Sequence, residues 1–197
     1  MNMDDTLTQP TQLKGDVLVR PWGLDRQPLA DPFVIFPHLG KVRPAIDSQG
    51  WITLDHNLVV NNGRQVIANL IGGRDHTANV SSSKWIVSKV SFGSFDQAPR
   101  FDDTTLSPQP REGFTGGENT IPINSAGDTF KQISAVDWPQ PYLVRFEIEL
   151  GLEEANGYLI REMGLFTTGG DLFARKTTVP VSKRESYGLS WLWRIRT

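Results

Sequence analysis

The chain has 197 residues, 38% of them hydrophobic and 21% charged, with a formal net charge of −2 and no cysteine. That length allows one sizeable domain, or a compact domain with an extended arm, and the lack of cysteine excludes disulfides, thiolate metal sites and cysteine nucleophiles. A near-neutral chain without a basic run is a poor partner for nucleic acid, and no apolar stretch approaches the roughly 20 residues that span a bilayer, so no membrane insertion is expected.

The opening MNMDDTLTQPTQLKG is polar, acidic and aperiodic, unlike a signal peptide, and predicts synthesis in a cytoplasm. From Asp16 to His56 the short apolar pieces DVLV, FVIF and WITL are cut by Pro21, Pro28, Pro32, Pro37 and Pro44. Proline lacks an amide donor and is poorly tolerated in a central strand, so residues 1–56 read as an extended N-terminal arm with short edge strands. NNGRQVIANLIGG follows, with Val66, Ile67, Leu70 and Ile71 at helical spacing, Asn61 or Asn62 available as a cap, and Gly72-Gly73 as a stop. So short and one-faced a helix needs a sheet to cover.

KWIVSKVSFG, Lys84 to Gly93, reads as a strand with Ile86, Val90 and Phe92 on one face and Trp85 and Val87 on the other. The stretch 94–130, rich in proline and with a Gly116-Gly117 pair, reads as a long loop insertion, either a contact surface or a mobile flap. In YLVRFEIEL, Tyr142, Val144, Phe146, Ile148 and Leu150 alternate with Leu143, Arg145, Glu147 and Glu149, and Tyr187, Leu189, Trp191, Trp193 and Ile195 alternate likewise in the last strand. Between them YLIREMGLF, a TTGGD turn and LFARKT make a hairpin. The fold class is mainly β: an antiparallel β-sandwich over residues 57–197 with one short α-helix.

Chemistry-bearing residues are sparse. His38, His56 and His76 have no metal-ligand spacing, and Asp96, Asp102 and Asp103 lack the alternating donors of a calcium loop and read as solvated. No phosphate-binding glycine pattern or nucleophile elbow occurs, so no cofactor is expected. Arg161 and Glu162 are adjacent on a strand and point to opposite faces, so one of them is directed inward. The expected outcome is a structural ion pair, with Arg175 or Lys176 as the partner of Glu162. Trp22, Trp51 and Trp138 lie outside the well-patterned strands and are candidate interface anchors, with core burial the equal alternative.

VVNNGRQVIANLIGG, the strand ending VSFG, DDTTL, and the run from VRFEIEL to the closing LSWLWRIRT together resemble a widespread group of tailed-bacteriophage virion proteins, found as tail fibre, baseplate or neck and collar components. The likeness runs from about Leu58 to Thr197 and is most specific in EANGYLIREMGLF, GDLFARK and the final aromatic strand. It implies a compact β-rich domain used in assembly, without catalytic residues, in symmetric rings or trimers with other phage structural proteins, located in the virion. The competing expectation is a host-envelope carbohydrate-binding or hydrolytic module, for which Glu118 would be the exposed carboxylate.

Overall fold

A computed structural model describes residues 14–36, 44–72, 82–106 and 120–196. They form a mainly β fold with nine strands: β1 Lys14–Trp22, β2 Ile52–Val59, β3 Val87–Gly93, β4 Phe130–Gln132, β5 Ala135–Gln140, β6 Leu143–Leu150, β7 Leu159–Thr167, β8 Leu172–Ser182 and β9 Gly188–Arg196. One α-helix, α1, spans Asn61–Gly72. Every strand pairing is antiparallel, in the order β4-β3-β7-β8-β2-β1-β9-β6-β5. The sheet folds over on itself as a sandwich, so that Phe92 of β3 packs on Trp191 of β9, ring centroids 5.1 Å apart, although the two strands are distant in that order.

The two ends of the order meet. β4 and β5 are halves of one strand that changes partner: Ile133 N–H donates to the Ser88 carbonyl at 2.9 Å, and the next residue, Ser134, donates to the Glu147 carbonyl at 2.8 Å. The stretch 130–140 thus crosses diagonally from β3 to β6 and ties the two layers edge to edge.

The alternating residues Phe146, Ile148 and Leu150 of β6, and Leu189, Trp191, Trp193 and Ile195 of β9, point into one continuous core with Val17 and Val19 of β1. Burial of such aliphatic and aromatic side chains, each worth about 1.5–3 kcal/mol, is the main stabilising term. Tyr142 lies outside this core, more than half exposed.

The expected arm is corrected where the structure describes it. β1 is an interior strand, hydrogen-bonded to β2 on one side and β9 on the other. The proline argument fails because Pro21, the penultimate residue of β1, lies beyond the last β1–β2 pair, Val19 with Ile52; no proline interrupts Asp16–Arg20. WITL opens β2, also interior, and β2 runs across the expected boundary at residues 56 and 57. FVIF is not a strand: Pro32–Ile35 form a 3-10 turn, because the Asp31 carboxylate caps the Phe33 N–H at 3.1 Å and Pro32 at the first position presets the helical φ. Residues 1–13 and 37–43 of that arm lie outside the described residues.

The helix carries a further difference. Neither asparagine is its cap: the Val60 carbonyl accepts from Arg64, and Asn61 N–H donates to the Phe101 carbonyl at 2.8 Å. Gly63 lies against the Phe173 carbonyl so closely that a Cβ would overlap it, which is how α1 beds on β8.

The indole of Trp22 covers Gly188, its cross-strand partner, where no Cβ would fit beneath the ring. Gly188→Ala should therefore push Trp22 outward and lower stability by about 1–3 kcal/mol. Urea unfolding checks it, together with a red shift of native tryptophan emission; an unshifted midpoint would refute the tight packing.

Candidate functional site

Two constellations stand out. The first is ionic. On the outer face of the β7–β8 hairpin, Arg175 is fully buried with Glu162, both at 0% side-chain exposure. Its Nε and Nη2 donate to Glu162 Oε2 at 2.9 and 2.7 Å, its Nη1 to Asp103 Oδ2 at 2.5 Å, and its Nη2 to the Gln97 carbonyl at 2.9 Å. The buried charge of the two is thus Glu162. It is enclosed beneath the 94–106 segment, where Leu106 also packs with Val60, Phe166 and Leu172 in a small second core. The register shift between Ile160 and Glu162 places the extra residues on β8, where Val181 to Thr177 face Ile160 to Glu162, and Ile160 and Met163 both belong to the main core. Arg161 stays at the surface, its Nη1 3.2 Å from Asp96.

Asp103 is the residue that sequence reasoning missed. Read as solvated, it is 3% exposed, while Asp102 beside it and Asp96 are open to solvent. An aperiodic loop gives no phase from which burial of one of two adjacent aspartates could be read.

The EANG stretch builds a turn rather than a reactive site. Glu154 Oε2 accepts from Gly151 N–H at 2.8 Å, and its carboxylate pairs with Lys131. Gly157 N–H donates to the Lys183 carbonyl. Lys183 is itself buried, its Nζ donating to the Leu152 and Arg184 carbonyls and to Asn156 Oδ1 at 2.8–3.1 Å. Burial pushes its pKa down to about 8, against the opposing pull of Glu154 and Glu153.

The second constellation is apolar. Where the diagonal strand leaves β3 for β6, a cavity of about 340 Å³ opens between the layers, walled by Val66 of α1, Trp85 and Val87 near the start of β3, Val136 of β5, Phe146 of β6 and Ile195 of β9. At its rim Trp138 is 65% exposed, Ile86 56% and Val136 38%. Ile86 does not share a face with Val90 and Phe92 as its spacing suggested, because Ser82–Trp85 form a 3-10 turn and the β3 register shifts between Val87 and Lys89.

Of the three tryptophans, Trp138 alone is exposed. Trp22 and Trp51 are 5% and 6% exposed and are corrected from interface anchors to structural residues. Trp22 Nε1 donates to Ser190 Oγ at 3.0 Å, with Arg26 stacked on its ring, and Arg20 lies over Trp51 at 4.5 Å. Beside Trp138, Asp137 is paired with Arg145, which raises the guanidinium pKa.

Among the described residues no group of three or more His, Asp or Glu is placed to hold a metal ion, and no helix is long and apolar enough to cross a membrane. His38, His76 and Glu118 lie outside the described residues. Comparison with family models, with curated proteins and with solved structures gave no match.

Arg175→Met leaves two buried carboxylates without their cation and should cost about 3–5 kcal/mol in urea unfolding. Adding Glu162→Gln and Asp103→Asn should recover most of that loss; a triple variant as unstable as the single one would show that packing, not charge, decides. Lys183 gives a pH signature. Between pH 8 and 10.5 the unfolded chain still holds the proton that the folded chain has released, so stability rises with pH across that window. Relative to Lys183→Met, the unmodified protein should gain up to about 3 kcal/mol from pH 8 to 10.5; parallel stability curves would contradict the burial argument.

Proposed function

We propose that this chain is a non-enzymatic structural component of a tailed-phage particle, in the neck and collar or in the tail fibre and baseplate apparatus. It works by protein–protein assembly, in multiple symmetric copies as rings or trimers. The observation that carries the assembly reading is the apolar seam, where Trp138, Ile86 and Val136 stand exposed around a cavity walled by apolar side chains. Exposed aromatic side chains beside a desolvated pocket are where binding energy concentrates in protein interfaces.

The virion setting comes from the resemblance over Leu58–Thr197. Its most specific motif supplies the EANG turn and Glu162, and GDLFARK supplies Arg175, architectural roles that agree with an assembly protein. A carbohydrate-binding module would set a tryptophan platform beside positioned carboxylates; here Trp138 borders an apolar cavity and the neighbouring Asp137 is engaged by Arg145. Assembly is therefore the better-supported reading.

Trp138→Glu tests it. The position is exposed, so circular dichroism and the unfolding midpoint should stay unchanged, while incorporation into particles, read by quantitative mass spectrometry, should fall at least about tenfold. Undiminished incorporation would remove the seam from the assembly reading.

A further inference from the structure

We propose, building on the assembly reading, that the seam receives an extended, apolar segment of another particle protein, added as a strand along the free edge of β5.

The geometry of the closing strand leads to this partner. Because residues 130–140 cross from β3 to β6, β5 pairs with β6 on one side only. Among the described residues no hydrogen bond reaches its other edge. β4 still closes on β3 through residues 130–132, and Ile133 bonds Ser88, so the wall is complete at one end and splits at the other. A split wall with an unpaired strand edge is a template for one more strand.

The cavity lies directly behind that split, with Val87 on one flank and Val136 on the other. Successive side chains of a strand point to opposite faces. An added strand would thus place alternate residues inward, against Val136, Trp138, Phe146 and Ile195, and the others outward, on the side of Asp137 and Arg145.

Charge and size select among occupants. The one carboxylate on the β5 rim, Asp137, is already neutralised by Arg145, so the matching part of the segment is uncharged. The exposed apolar patch comprises three side chains, Ile86, Val136 and Trp138, whereas a stable interface between two globular surfaces takes about 20–30 residues a side. One inserted strand fits a patch of that size, and a face-to-face dimer of this chain does not. Pro139 has no amide to donate, and the β5 register is irregular between Asp137 and Gln140, so the added ladder is confined to residues 135–138.

The test uses the full chain in particles. Trp138→p-benzoylphenylalanine keeps an aromatic group at the rim, and irradiated particles are digested and mapped by mass spectrometry. Amide hydrogen exchange at residues 135–138 is compared between the free chain and the purified particle. The expected result is one cross-linked segment of a different particle protein, with alternating apolar residues, and at least tenfold slower exchange on assembly. A cross-link without slower exchange would mean side-chain docking and would overturn strand addition. A cross-link to a second copy of this chain would overturn the choice of partner. If the chain is present in particles with neither change, the seam is not an interface, and the assembly reading survives elsewhere on the molecule. Absence of the chain from particles would overturn that reading and this inference with it.

Discussion

A guanidinium with no access to solvent, held between Glu162 and Asp103, fixes the relation between the sheet and the segment that covers it. Taking charged groups out of water costs several kcal/mol per ion, and the cost is offset only when the geometry satisfies the donors. Arg175 meets that condition with three partners from two places: Glu162 on the neighbouring strand, and Asp103 and the Gln97 carbonyl from the covering segment. An apolar cluster tolerates sliding, whereas this set of directed bonds does not. The segment is therefore held in one position, with Leu106 over Phe166 and Leu172 and the Phe101 carbonyl on the first amide of α1. The covering segment, and through the Phe101 carbonyl the first amide of α1, are thus tied to the β7–β8 hairpin by one ion cluster.

At the seam the same economy of parts has the opposite result. One short strand closes the molecule by bonding β3 with its first half and β6 with its second. A strand that changes partner cannot complete both ladders, so the wall splits where the two directions diverge and the core is reached from outside. The ionic cluster makes one face rigid, and the diagonal strand leaves another unsaturated. The proposed assembly role draws on both: a fixed scaffold, and an exposed apolar patch beside a strand edge that no described residue pairs.

The legible and illegible parts of the sequence differ for a physical reason. β6 and β9 are plain from their alternation, because the residues of one face are in the core and most of those on the other are only partly buried. α1 was plain from its spacing and its terminal glycines. β1 and β2 look peripheral in the sequence because prolines lie close to them, but Pro21 falls beyond the last β1–β2 pair and leaves that ladder intact. β4 and β5 carry no clean alternation, since most of their residues are exposed and Pro139 interrupts the second half. Trp22, Trp51 and Trp138 looked alike in sequence, and only their surroundings separate two structural tryptophans from an exposed one.

What the sequence by itself determined is the set of local alternations, and with them the β class, the single helix, and the fact that Arg161 and Glu162 cannot serve one site. Strand geometry decides these, because neighbouring side chains point apart along a regularly paired strand. Tertiary structure alone decided which of the two charges is buried and that Asp103, from a distant loop, completes its cluster. It also decided that the sheet closes with a split. Those outcomes depend on register shifts and on contacts between residues far apart in the chain, and no local pattern encodes either.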